Sequence, residues 1–398
     1  MSLDKNLIAD MIKWRHTFHA SPELAFEEVS TAQLVASVLR ENGIAVEEGV
    51  GRTGVVGTLK RGDGPKIGLR ADMDALPLSE KNDFAHKSQH EGKMHACGHD
   101  GHTAMLLGAA VALSKNTEWT GTINFIFQPA EEAAGGGRVM IEDGLFERFP
   151  CDMVFGMHNW PGVQMGRFAI NHGPMMASFD TFEITIQGVG SHAAMPERSI
   201  DSLVCASQLV LALQTIVSRR LPPQETAVVS VTQIHGGEAW NVLPDTAVIR
   251  GTVRCFSAST QQRIHDLLTE ISGGIAQSNG ASATVSYRYA YPATINSHQE
   301  TDIAIRAASA VVGKDKVDWD CVPSMASEDF SFMLNSKPGA YIWMGVDRDE
   351  TIPLHNPHYD FNDDTIELGA SFWIELVRDV MGAGSKTIDA GVTAAVAA

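Results

Sequence analysis

The sequence contains no run of about 18 to 20 apolar residues, the length a membrane-spanning helix needs, so the chain is not expected to cross a bilayer. Its N-terminus, "MSLDKNLIADMIKWRH", is charged and amphipathic and lacks the apolar core of a secretory leader. Cysteine is scarce: five residues, an odd count, lie far apart, which speaks against a disulfide framework and for a reducing cytoplasm. Basic clusters are missing too. Thirty Lys and Arg face 48 Asp and Glu, for a formal net charge of −18. Such a surface repels phosphate backbones and anionic lipid, and "SRRLPP" at 218–223 is too short to make a binding patch. No internal repeat is found.

What the chain does have is length and ordinary hydrophobicity. At 398 residues, 44% of them hydrophobic, it exceeds the roughly 250–300 residues that one core supports, so two or three domains are expected. A helix is expected over roughly the first 25 residues and a second from Ser30 to Asn42, closed by Gly43. Strand-like runs ("TGVVGTLK", "KIGLRADMDA", "GTINFIFQPAEE", "MVFGMHNW") then alternate with helix-like ones ("DGHTAMLLGAAVALSK", with Asp100 as a candidate N-cap, and "GGGRVMIEDGLF"). This alternation predicts an α/β fold with a mostly parallel sheet covered by helices, in which ligands sit beyond the carboxyl ends of the strands.

From Phe179 the texture changes. "FDTFEITIQGV" alternates with period two, and the elements after it read β-α-β-β-α-β, the order of a small α+β sandwich. The expected organisation is therefore a domain of 1–178 plus 292–398, with 179–291 inserted. The final small-residue stretch, "GAGSKTIDAGVTAAVAA", reads as a frayed tail.

The chemistry concentrates at the ends of apolar runs. "KMHACGHDGHT" (93–103) supplies Cys97 and His99, "QPAEE" supplies Glu131 and Glu132, "GMHNWP" supplies His158 and "LHNPHYDFND" supplies His355. Thiolate, imidazole and carboxylate are the ligands of transition-series divalent cations. Two adjacent glutamates in a tight loop suit a division of labour, one binding metal and the other taking a proton from an activated water. A thiol hydrolase built on Cys97 is the alternative, but it leaves the glutamate pair, His158 and His355 without a task. His95 reads as structural and His102 as a helix-face residue supporting the ligands. Packing is the first expectation for His16 and His19, and His358 need not face the metal. Glycines 135–137 lack the Lys-Ser/Thr pair of a phosphate loop and are assigned to tight backbone packing. Met175 and Met176 fit either an apolar acyl pocket or ordinary core.

Together, "LRADMDALP", "MHACGHDGHT", "QPAEE", "GMHNWP", "GSHAAMPE", "NVLPDTAVIRGTVR", "SEDFS" and "HNPHYDF" resemble, in order and over nearly the whole chain, the signatures of a family. It is that of the metal-dependent aminoacylases and carboxypeptidases, in the branch of hippurate hydrolase and the plant indole-3-acetyl-amino-acid hydrolases. The resemblance implies a di-metal α/β catalytic domain with an inserted lid that mediates homodimerisation. It implies two divalent ions held by Cys97, His99, Glu132, His158 and His355, with Glu131 as general base. His192 matches a residue that holds the substrate carbonyl or oxyanion, and Asn241 and Arg254 match positions suited to the substrate carboxylate. Many relatives begin the site with His-x-Asp, whereas Asp72 and Asp74 stand here. Cys97 then completes the ligand count, and Asp74 orients a histidine from behind. Thiolate softness favours zinc, cobalt or nickel, while manganese is usual in this branch. The implied activity is hydrolysis of a small N-acyl amino acid such as hippurate. The alternatives are deacetylation of an intermediate of the N-acetyl-diaminopimelate type, or metal binding without catalysis.

Overall fold

The computed structural model describes residues 3–132, 134–348 and 350–382; the C-terminal stretch read above as a frayed tail lies almost wholly outside them. The chain divides into two compact units. One comprises residues 1–170, 297–320 and 337–398, and the other 171–296 and 321–336.

The first unit is built on an eight-stranded sheet in the order Ala45–Val50, Gly54–Arg61, Gly121–Gln128, Lys66–Asp72, Met153–Gln164, Gly339–Asp347, Phe168–Ala169, Val317–Asp318. Its four central strands, Gly121–Gln128 through Gly339–Asp347, pair in parallel, and the antiparallel pairings lie towards the ends of the sheet. The central strands read as unbroken buried runs, as strands covered on both faces must: every residue of Ile67–Asp72 is buried. Parallel pairing brings the carboxyl ends of Lys66–Asp72 and Gly121–Gln128, where Asp72 and Gln128 lie opposite each other, level with the middle of Met153–Gln164, where His158 lies opposite Trp343.

The helix that follows the titratable loop, His99–Lys115, is buried around nearly its whole circumference, and it packs against the Lys5–Ala20 and Ile366–Met381 helices. Asp100 does not cap it. Gly98, with φ 90, holds the N-cap position, and Asp100 in the first turn turns its carboxylate to His19 Nδ1 at 2.8 Å. The run "GGGRVMIEDGLF" forms two short helices, Gly136–Glu142 and Leu145–Arg148, because Gly144 adopts φ 83 between them. Among the described residues no helix is long and apolar enough to cross a membrane.

The second unit carries a four-stranded antiparallel sheet in the order Ala227–His235, Thr246–Cys255, Phe179–Gln187, Ser282–Tyr291. Along the chain its main elements run strand, helix, strand, strand, helix, strand. The helices are Ser202–Leu213, capped by Asp201, and Ala258–Ser278, capped by Ser257. Alternate residues of the central strand, Phe182, Ile184 and Ile186, meet Leu209, Leu213, Ile264 and Leu268 in a continuous core. Met175 and Met176 are buried in this unit, Met175 against the Cys321 thiol, which makes them core and not an open pocket wall. A two-stranded ribbon pairs Ser191–His192 with Val242–Leu243.

Candidate metal centre and active site

The site forms where the central strands of the first unit end. Asp72, at the last position of its strand, is fully buried. Its Oδ2 accepts from Arg70 Nη1 at 2.7 Å and its Oδ1 from His102 Nδ1 at 2.6 Å. His102 Nε2 accepts the Asn159 N–H at 3.0 Å, which fixes the Nδ1–H tautomer and uses both ring nitrogens. His102 therefore supports the backbone that carries His158. Burial alone would raise the Asp72 carboxyl, but the charges of His99, Arg70 and His102 override it and hold the group well below the usual carboxylate range.

His99 opens the long helix. Its Nδ1 lies 2.8 Å from the Asp74 carbonyl and 3.3 Å from Asp74 Oδ1, while its buried Nε2 has no hydrogen-bond partner. An imidazole oriented from behind, its front nitrogen without a hydrogen bond and 3.8 Å from Asp72 Oδ2, is the arrangement of a metal ligand. Burial pulls the His99 pKa down, yet Asp72, Asp74 and Glu132 push it up to about 10, so this pocket attracts a cation strongly. His158 has the opposite balance. Burial and the nearby His102 and His99 hold it well below the ordinary value, and its Nδ1 donates to the Asn159 carbonyl at 2.6 Å. Its neutral Nε2 faces Cys97 Sγ at 3.5 Å.

The Cys97 thiol is pushed well above its ordinary range by burial and by Glu132, Glu131 and Asp72. A thiol so placed is a poor nucleophile by itself and needs a dication to become a thiolate, which sets aside the thiol-hydrolase alternative. Asp74 supports the glutamate pair as well as His99: its Oδ1 accepts the Glu131 N–H at 3.0 Å and its Oδ2 the Glu132 N–H at 2.9 Å. His355, with φ 61, donates its N–H to the Ala96 carbonyl and places Nε2 3.1 Å from Glu132 Oε1.

The ligand atoms of Cys97, Glu132 and His355 lie within 4.8 Å of one another, and so do those of His99, Glu131 and Glu132. The two groups share Glu132, and His158 meets Cys97 while grouping with His99, Asp72 and His102. Soft, imidazole and carboxylate donors around one anionic pocket, with a bare buried nitrogen among them, fit divalent metal ions.

The other sequence candidates belong to none of these ligand groups. His192 and Asn241 belong to the second unit, neighbours across its ribbon, where the Ala193 N–H meets the Asn241 carbonyl. Arg254, half-buried on the Thr246–Cys255 strand, donates to Ser327 Oγ at 3.0 Å and lies over the Phe179 ring. His358 is exposed and joins no ligand group. Glycine is required at 136, where a Cβ would come within 1.7 Å of the Pro129 carbonyl beside the glutamate loop.

The chain matches Peptidase family M20/M25/M40 over residues 68–379. It belongs to that family. The hippurate hydrolase of Campylobacter jejuni is 44% identical over 372 residues, covering 93% of this chain and 96% of the relative. The N-acetyl-L-cysteine deacetylase of Bacillus subtilis is 39% identical, covering 97% of this chain and 91% of the relative. An IAA-amino acid hydrolase of Arabidopsis thaliana is 38% identical, covering 91% and 83%. Among solved structures, a dinuclear metal binding peptidase of the M20 family from Bacillus subtilis superposes with a TM-score of 0.83 at 34% identity, covering 94% of this chain and 98% of that one. This M20 chain is accordingly a metal-dependent amide hydrolase acting on small-molecule substrates with divalent ions. Family membership sets aside the reading as a non-catalytic metal binder.

The sequence did not reveal the charged bridge behind the metal loop. His19, read as a packing residue, is buried between Asp100 and Glu80, and Arg15 beside it pairs with Asp360 and Asp363. Burial lowers the His19 pKa, but the Asp100 and Glu80 carboxylates win and raise it to about 9 from 6.5. A raised histidine stabilises fully below its unfolded value and loses that contribution as pH rises through the folded one. Between about pH 6.5 and 9, then, roughly 3 kcal/mol of stability should fade. Urea midpoints of the native protein should fall over this window, and those of His19→Gln should stay flatter; parallel slopes would refute the bridge.

Proposed function

We propose that the M20 chain hydrolyses N-acyl amino acids, aroyl or acetyl, to a carboxylic acid and a free amino acid. The observation that carries this reading is the glutamate pair. Asp74 grips both amides and the two carboxylates stand together beside His99, and of the two we assign Glu132 to the metal and Glu131 to the proton. Cys97, His99, Glu132, His158 and His355 would hold two divalent ions, zinc or manganese with cobalt and nickel as further candidates, which acidify water and polarise the amide carbonyl. Glu131 takes the proton from the attacking water and returns it to the leaving amine.

His192 Nδ1 accepts the Ala194 N–H at 3.1 Å, which leaves its exposed Nε2–H free to donate to the oxyanion. Asn241 and the Arg254 guanidinium are assigned to the substrate carboxylate. We assign 179–291 the part of lid and dimerisation module and place the protein in the cytoplasm. The exposed Leu211, Val204 and Ile234 and the edge strand Ala227–His235 support a homodimer, which sedimentation should find; an active monomer would exclude it.

Deacetylation of an intermediate of the N-acetyl-diaminopimelate type is the second reading, and the N-acetyl-L-cysteine deacetylase relative supports an acetyl specificity. A panel of hippurate, N-acetyl amino acids, N-acetyl-diaminopimelate and indole-acetyl conjugates, assayed with each metal, tests both. Turnover of hippurate or N-acetyl amino acids well above N-acetyl-diaminopimelate supports the first, and the reverse order the second. No turnover of any member, with metal bound, would overturn the proposal.

A further inference from the structure

One buried acid outside the ligand groups reaches the backbone of the glutamate loop. Glu28 occupies the N-cap position of the Val29–Glu41 helix, yet its side chain makes no capping bond. Glu23 does that work, its two oxygens accepting from Ser30 N and Thr31 N at 3.0 and 2.9 Å. Glu28 instead turns inward, fully buried. Its Oε1 accepts the Ala130 N–H at 2.8 Å and its Oε2 the Thr53 hydroxyl at 2.5 Å. Burying a carboxylate is costly unless its oxygens are satisfied, and here one of the donors is the backbone immediately before the catalytic pair.

That backbone is strained. Ala130 has φ 55, in the left-handed region that a residue with a Cβ enters only at a cost, and its carbonyl accepts the Gly136 N–H at 2.9 Å. The turn at Ala130 aims the next two amides at Asp74, and through them the carboxylates of Glu131 and Glu132. Two acids therefore hold three successive amides: Glu28 the first, Asp74 the second and third. Without the Glu28 acceptor, the Ala130 N–H would be buried with no partner, and relaxation of Ala130 to negative φ would rotate the pair away from the cage.

We propose that Glu28 is a positioning residue for the reaction, fixing the left-handed turn at Ala130 that presents the base Glu131 and the ligand Glu132. This rests on the amide-hydrolase reading of that pair. Gln at position 28 keeps an oxygen for Ala130 and can donate to the Thr53 hydroxyl. Asp cannot span both partners, and Ala reaches neither.

The test compares Glu28→Gln, Glu28→Asp and Glu28→Ala at 25 °C, after circular dichroism and thermal melts have shown each folded. Glu28→Gln should keep kcat within about threefold. Glu28→Asp and Glu28→Ala should lose roughly 10- to 100-fold in kcat with KM within about twofold, since a small misplacement of the base slows chemistry without loosening substrate. The same two variants should bind zinc about tenfold more weakly in chelator competition, because Glu132 moves with the loop. A folded Glu28→Asp or Glu28→Ala with native kcat and zinc affinity overturns the proposal, as does a Glu28→Gln that falls as far as they do. Should Glu28→Ala not fold, the order of Gln above Asp decides. Should the native enzyme turn over none of the substrates, the functional reading fails alone, and zinc competition still decides the part played by Glu28.

Discussion

Glu131→Gln should retain its full complement of metal and its fold while kcat drops by roughly two to four orders of magnitude. The substitution is nearly isosteric, and the backbone it hangs from is fixed by Asp74 at the amide of residue 131 itself. The proposed ligands lie elsewhere, on Cys97, His99, Glu132, His158 and His355, so removing the acidity of one oxygen should not empty the site. What is lost is the acceptor for the water proton and the donor for the leaving amine. Glu132→Gln provides the contrast: it should lower metal affinity first and activity as a consequence, with partial recovery at high metal. Metal analysis alongside kcat separates the two. If Glu131→Gln turned over within tenfold of the native enzyme, or if both substitutions behaved alike, the division of labour between the glutamates would be wrong.

Metal removal should have the second large effect, on stability as well as activity. Without ions the pocket holds Asp72, Asp74, Glu131 and Glu132 close together, relieved in part by a proton on His99. An ion binding only the folded state stabilises it by about 2.7 kcal/mol at a hundredfold excess over Kd. Dialysis against a chelator should therefore abolish turnover and lower Tm by several degrees, and adding a divalent ion should restore both. Because Cys97 must bind as thiolate and its thiol is pushed well up, metal uptake should release protons and strengthen as pH rises. Calorimetry in buffers of different ionisation enthalpy reads the release directly. Unchanged activity after complete metal removal would contradict the site.

The parts of this protein visible in the sequence are those with local signatures. The alternation of strands and helices, the period-two texture after Phe179 and the titratable residues at the ends of apolar runs each occupy a short window, and the residues of several such ends gather into common groups. Pairings between distant residues leave no such mark. Asp100 looks like an N-cap because a cap is judged from its neighbours, but His19, 81 positions away, claims its carboxylate. Glu28 and Ala130 are separated by 102 positions, and nothing in "FEEV" announces that one glutamate faces solvent and the other a buried amide. The Ser202–Leu213 helix gives way to a π-turn at Ile216–Arg220 inside a run whose apolar period continues without interruption. The structure also groups residues 171–178, 292–296 and 321–336 with the second unit, and no break in composition marks those positions.

The order in which the proposed ligands appear along the chain has a consequence for biogenesis. Cys97, His99, Glu132 and His158 precede residue 171, whereas His355 comes only after the whole of the other unit has been made. If these residues hold the ions, an emerging polypeptide would present four of the five long before the last imidazole arrives, and the Gly339–Asp347 strand pairs with Met153–Gln164 only after those four are made. With that ligand set, loading would belong to the end of maturation, and a chain stalled short of position 355 would be a leaky trap for metal rather than an enzyme.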